Sequence, residues 1–314
     1  MTPGEHEAVS ARLVAPPPVQ ARLVRPPRQR ALRLVGAALA QARHLRLPWL
    51  LLGAARLLRA AGWSAPLVVL VGGFRAALAR LGDPFAAAVH VIADPAVLLP
   101  AFGLGASALL AGALVELAGL ALGLPALAAR LGTAPAPSPQ AATFGPRLAA
   151  LLQTGALLLL AACVWAAAVV PLLAVAAQTW LASRQASGAG ALLASVGLAL
   201  VGSITLGGSL LFRLAAEAAL VRVGAFGGGP LAGIYEGFAL VLRKPAVLLG
   251  AVYLVAVAGA LAGLAFGIPA ALSPPGAAGF ALRAFVELAT AGATALLALA
   301  RLGVFVQAAA ETRP

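Results

Sequence analysis

The residue best placed to do chemistry is Glu116, within the run GALVELAGL at positions 112–120. A carboxylate kept charged among hydrocarbon costs several kcal/mol, so an acid at that depth is a candidate for proton or cation handling. The competing reading leaves Glu116 near a cytoplasmic interface, with Arg130 for company. Little else supports catalysis. The three histidines (His6, His44 and His90) are scattered and do not form a metal set. Cys163 is the single cysteine and lies in an apolar run, where nothing would lower its pKa and no intramolecular disulfide can form. The stretch GLGASA at 103–108 has the glycines of a dinucleotide loop but no strand before it. No Walker lysine, HExxH, or Ser, His and acid set is present. The expectation is therefore a protein that is not an enzyme and has no cofactor or metal.

The elements that must position these side chains follow from composition. The 314 residues are 62% hydrophobic and 10% charged, with a mean hydropathy of +1.00, whereas a soluble domain carries roughly 25% charged residues. Too few charges remain to cover a globule in water. The apolar runs at 96–115, 155–177, 190–212 and 246–272 meet or exceed the length of about 18–20 residues that crosses a bilayer core. Unbroken Ala, Leu and Val runs indicate helices, since barrel strands would alternate. The predicted class is all-α, a polytopic transmembrane bundle of about six spans with interfacial amphipathic helices. Crossings are placed near 64–82, 96–123, 148–181, 190–212, 246–271 and 284–307.

Charge sets the expected orientation. The net charge is +13, and ten arginines lie between Arg12 and Arg59. This bias fits the positive-inside rule better than nucleic-acid binding, so no nucleic-acid partner is expected. With six crossings and both termini cytoplasmic, Arg130, Arg147, Arg213, Arg222, Arg243, Lys244 and Arg313 also face inward. The expected location is a bacterial inner membrane, and no cleavable signal is read at the start.

Three regions are expected. Residues 1–29 read as a disordered Pro- and Arg-rich cytoplasmic tail. Residues 30–61 read as a basic amphipathic helix on the membrane surface, and 62–310 as the transmembrane domain. Arg43, Arg46, Arg56, Arg59, Arg243 and Lys244 are the expected contacts to anionic lipid headgroups. Residues 213–245 are read as interfacial connector helices broken at FGGGP. Glu287 is expected to stabilise a helix N-terminus, and Arg301 to extend its charge toward the inner interface.

An internal echo adds a prediction. HVIADPAVLLP at 90–100 and LVLRKPAVLLG at 240–250 agree at six of eleven positions, with Asp94 replaced by Lys244. GFR at 73–75 pairs with LFR at 211–213, and FGPR at 144–147 with FALR at 280–283. Three crossings separate the copies, so the second would be inverted and its charge would change with its side of the membrane. The halves would be about 62–181 and 190–310, a 3+3 inverted repeat.

The segment FRLAAEAALVRVGAFGGGPLAGIYEGFALVLRKPAVLLGAVYLVAVAGALAG at 212–263 places an amphipathic connector with central glycines before an Arg-Lys-Pro start of a Gly-rich span. In this it resembles the broad group of bacterial six-span proteins similar to the membrane domain of glycerophosphoryl diester phosphodiesterases, over about residues 85–310. The resemblance includes no diagnostic catalytic residue. It implies an accessory membrane domain rather than a hydrolase. The functional expectation is a noncatalytic membrane module that organises lipids or partner proteins, with a membrane protein or a second copy of the chain as partner. The alternative is a small-solute or lipid transporter with an inverted-repeat core. Gln153, Thr154, Ser203, Thr205 and Glu116 are nearly its whole polar inventory at membrane depth.

Overall fold

A computed structural model describes residues 27–133, 144–183, 188–271 and 276–312. The expected tail up to residue 26, most of the 130–147 linker, Arg184 and Arg313 lie outside the described residues. Among those described, the chain is helical without strands: α1 (Pro27–Ala42), α2 (Arg46–Leu81), α3 (Pro84–Ala93), α4 (Pro95–Arg130), α5 (Phe144–Ser183), α6 (Ala189–Phe226), α7 (Pro230–Arg243), α8 (Pro245–Ala271) and α9 (Ala277–Ala310). Six of them, α2, α4, α5, α6, α8 and α9, are long and apolar enough to cross a membrane.

The breaks follow from local chemistry. Gly82, with φ of 67°, closes α2, and the Asp83 carboxylate then accepts from the amides of Phe85 and Ala86 at 3.1 and 3.2 Å to start α3. Asp94 accepts from the Ala96 amide at 2.9 Å, and Pro95 occupies the first turn of α4, where its missing N–H costs nothing. Gly227 and Gly228, both at positive φ, end α6, and Pro230 opens α7.

The long helices form three antiparallel arms. α2 packs along α4, α5 along α6, and α8 along α9 with α1 against both. Glycines and tryptophans close these arms. Gly62 and Gly105 face each other across α2 and α4, while the Trp165 and Trp180 indoles donate to Ser209 and Ser195 across α5 and α6 at 3.1 Å. The arms meet at one end, called here the near end, which holds α1, the close of α4 and the close of α9. The buried core lies there, with Leu124, Leu127, Leu151, Leu214, Leu299 and Phe305 fully covered. Toward the far end, marked by residues 82–94, 183, 188, 271 and 276, large apolar side chains such as Phe102, Leu160, Leu193 and Leu206 are exposed. Asp94 and Lys244 lie at opposite ends. Lys244 touches the close of α9, which packs beside Leu127, whereas Asp94 begins α4 about 48 Å of helix earlier.

Two boundaries differ from expectation. Residues 30–61 are not one surface helix: the chain turns at 43–45, and α2 runs from Arg46 through the expected 61/62 boundary to Leu81. Nothing between 46 and 65 breaks a helix, and Pro66 is accommodated because its ring faces Gly105. Helix α1 buries Ala31, Ala38 and Ala42, and Ala38 meets Gly303 of α9. It is thus part of the near-end core. The connector expected at 213–245 divides similarly. Residues 213–226 continue α6, and α7 folds onto α6 through Gly233 and Gly237.

Candidate membrane-depth charge cluster

Six charged side chains from four helices meet where the arms converge. Arg56 and Arg59 lie on α2, three apart and so on one face, and Glu116 on α4. Arg213 and Glu217 are one turn apart on α6, and Arg301 is on α9. Arg59 pairs with Glu116. Arg301 Nη2 donates to Glu217 Oε1 at 2.7 Å, and Arg213 Nε stands 3.6 Å from the same oxygen. Arg56 is within electrostatic reach of Glu116, Arg301, Arg59 and Arg213, yet makes no hydrogen bond or ion pair among the described residues. Four guanidiniums therefore face two carboxylates, leaving an excess of two positive charges.

The depth of this cluster can be read along the helices. Leu81 to Arg59, Pro95 to Glu116, Ala189 to Arg213 and Ala277 to Arg301 are each roughly 21 to 24 residues, or about 31–36 Å at 1.5 Å per residue. A hydrocarbon core is about 30 Å thick. If the far end lies at one interface, the cluster falls at the other border of the apolar layer, where phosphate headgroups begin.

Two further ionic groups occupy the near end. Lys244 Nζ donates to Glu311 at 2.6 Å and to the Ala308 carbonyl at 3.2 Å, and Arg30 reaches the same carboxylate at 2.5 Å. Burial would raise the Glu311 pKa, but hydrogen bonds from Lys244 and Arg30, with their charges, outweigh it and hold the carboxyl below the usual glutamate range. The other group joins Arg222 to Glu236, with the Arg222 guanidinium over the Phe226 ring at 5.5 Å.

The expected site residues separate into three groups. Glu116 is paired, and its partner is Arg59 rather than Arg130, which lies 14 residues or about 21 Å farther along α4. Arg43 and Arg46 are exposed at the turn between α1 and α2, with Arg43 Nε donating to His44 Nε2 at 3.3 Å. Arg56 and Arg59 join the deep cluster. Arg243 is exposed beside the Arg222 group, and Lys244 is held to the end of α9. Sequence reasoning passed over Glu217 and the inward role of Arg301. The signal was the acid in FRLAAEAAL, one turn after Arg213 and flanked by alanines that leave no solvated face.

The cluster has no histidine, thiol or hydroxyl placed to relay a proton, and the described residues hold no group of three His, Cys, Asp or Glu side chains suited to a metal. What the surplus of guanidinium could do chemically is attract an anion. Comparison of the chain with protein-family models, curated proteins and solved structures gives no match.

Proposed function

We propose that this chain is a noncatalytic integral membrane protein that organises anionic phospholipids, and the partner proteins that bind with them, at the membrane face of its near end. The observation that supports this reading is the surplus of guanidinium at the border of the apolar layer. In a low-dielectric setting an uncompensated cation recruits a counter-anion, and the phosphates of lipid headgroups are the anions at that depth. The divergent apolar arms leave room for acyl chains beside it. The resemblance to the six-span accessory membrane group agrees with this role. Lysine and arginine gather at the near end (Arg43, Arg46, Arg130, Arg147, Arg222, Arg243 and Lys244), which supports a cytoplasmic near end under the positive-inside rule.

The test is lipid retention. The full chain, reconstituted in phosphatidylcholine with phosphatidylglycerol and released for native mass spectrometry, should keep phosphatidylglycerol in preference. Arg56→Gln, which leaves the three ion pairs of the cluster intact, should reduce that preference severalfold, and the Arg56→Gln/Arg213→Gln pair should remove it. Equal retention of both lipids by the wild type would reject the reading.

A transporter with an inverted-repeat core is the second reading, and one observation favours it. The order long helix, short Pro-initiated helix, long Pro-initiated helix, long helix occurs as α2 to α5 and again as α6 to α9. The three echoed sequence pairs fall on matching elements, with GFR and LFR in α2 and α6, and FGPR and FALR opening α5 and α9. In a Cys163→Ala background, cysteines at 94 and 244 probed with an impermeant thiol reagent should label in intact cells at 94 only. Labelling at both or at neither would remove the inverted arrangement.

A further inference from the structure

A second anion site lies outside the deep cluster, and we propose that the cavity between α6, α7 and the end of α9 binds a phosphate-class anion through Arg222 and Arg243. The cavity encloses about 200 Å³, the scale of a single phosphoryl group with its immediate substituent. Its wall is apolar, formed by Ala218, Leu240 and Ala309. Its polar lining holds two guanidiniums and the Tyr235 phenol as donors, with Glu236 as the one carboxylate, while the Thr312 hydroxyl at its edge already donates to the Ala309 carbonyl at 2.9 Å.

The arrangement leaves those donors available. Arg222 contributes Nε to Glu236, so the carboxylate uses one edge of the guanidinium, while its two terminal nitrogens make no hydrogen bond among the described residues. The Phe226 ring beneath the group fixes its plane. Arg222 is therefore pre-oriented rather than neutralised and hidden, which lowers the ordering cost of binding. Arg243 is exposed and makes no hydrogen bond or ion pair among the described residues. Two guanidiniums from different helices that converge on one small cavity suit a tetrahedral oxyanion with several acceptor oxygens. The Tyr235 hydroxyl adds a neutral donor for a remaining oxygen.

The source of the phosphate can be a lipid or a solute. The outer face of α7 carries Leu231, Tyr235, Phe238 and Leu242 in one exposed stripe, spaced by four, three and four residues. Tyr235 belongs to both stripe and cavity, so a phosphomonoester headgroup could seat its phosphate among the arginines with its chains along that stripe. Free phosphate or a soluble phosphomonoester would use the same donors without the stripe.

Binding is measured on the detergent-solubilised full chain by the shift of its thermal midpoint, titrating inorganic phosphate in one arm and phosphatidic acid in mixed micelles in the other. Phosphatidylcholine micelles are the reference. Arg243→Gln removes a guanidinium that makes no hydrogen bond or ion pair among the described residues and should fold normally. It should weaken the response about tenfold or more, the loss of charge-assisted hydrogen bonds. Tyr235→Phe should weaken it less. Protection in both arms, both reduced by Arg243→Gln, supports the site for either source. Protection by phosphatidic acid alone assigns it to a lipid, and by phosphate alone to a solute. No protection in either arm, or protection unchanged in Arg243→Gln, overturns the proposal. Since Arg243 is not in the deep cluster, phosphatidylglycerol retention by Arg243→Gln should match the wild type, which separates failure here from failure of the lipid-organising reading.

Discussion

The breaks at Asp94 and Lys244 share the phrase PAVLL and differ in what their charged residue does. Asp94 serves its own helix, since its carboxylate accepts from the Ala96 amide and starts α4. Lysine has no acceptor for that role. Lys244 instead reaches out of the break, to the Ala308 carbonyl and Glu311 at the end of α9. One break is a local cap and the other is a tertiary clasp. The helices behind them differ accordingly. In the first half α2 packs directly along α4, whereas in the second α6 is covered by α7 and no comparable seam joins α6 to α8 among the described residues. An echo in sequence thus fixes where helices begin but not what they pack against.

The strongest way to break this comparison lies at the glycines behind each break. A Cβ at Gly237 would stand 2.7 Å from the Ala219 amide nitrogen and 2.8 Å from the Ala215 carbonyl oxygen, which are backbone and cannot swing away. Gly237→Val should cost about 3 kcal/mol or more, or prevent folding. At Gly73 the nearest neighbour is the Val97 side chain at 3.0 Å, so Gly73→Ala should be far milder. Thermal unfolding in detergent checks both, and equal losses would contradict the contrast between Gly237, which meets backbone, and Gly73, which meets only side chains.

The ion pairs give the next effect. Glu217 and Arg301 expose 16% and 15% of their side chains, against 43% and 33% for Arg59 and Glu116. Arg301→Leu leaves the buried Glu217 carboxylate with only Arg213 at 3.6 Å and should cost about 3 kcal/mol. Arg59→Leu should cost less, about 1–2 kcal/mol, because that pair is less enclosed by the protein. Midpoints of urea unfolding in mixed micelles would show the order, and the reverse order would mean that the arms separate at α6 and α9.

Smaller effects sharpen the contrast of cap and clasp. Asp94→Ala should cost about 1 kcal/mol, restored largely by Asn or Ser, which also cap. Lys244→Ala should cost about 1–2 kcal/mol, with no rescue by Asn. Hydrogen exchange should then rise at the start of α4 in the first variant and at the end of α9 in the second.

The smallest effect is a pH dependence. The Glu311 carboxyl is held below its ordinary value in the fold, so its contribution is fully present above the unfolded value of about 4.3 and is lost as pH falls through the lower folded value. The wild type should therefore lose its advantage over Glu311→Gln as pH drops from about 5 toward 3. An advantage that persists at pH 3 would show that Lys244 and Arg30 do not depend on that charge.

Much of the architecture was legible in the residues. Hydropathy is a sum over neighbours along the chain, so the six apolar helices, the Pro-initiated starts at Pro95 and Pro245, and the glycine break after Phe226 required no knowledge of packing. Glu116 was also visible, because an acid among leucines and alanines stands out locally. Its partner was not: Arg59 is 57 positions away, and Arg130 appeared nearer only because it shares α4. The single helix expected at 30–61 divides into α1 and the start of α2 for a related reason. Basic residues among Ala and Leu suit a lipid surface and a protein groove alike, and the choice depends on whether Gly303 and Gly250 leave space for Ala38 and Ala31.

The sequence by itself determined that this chain is helical and built for a membrane, since burial in hydrocarbon rewards each apolar residue separately. Only the tertiary structure decided which charges meet. Glu217 and Arg301 lie 84 positions apart, on helices whose convergence depends on small residues fitting elsewhere. A charge pair falls off within a few ångströms, so its existence is a property of the assembled arms and of nothing shorter.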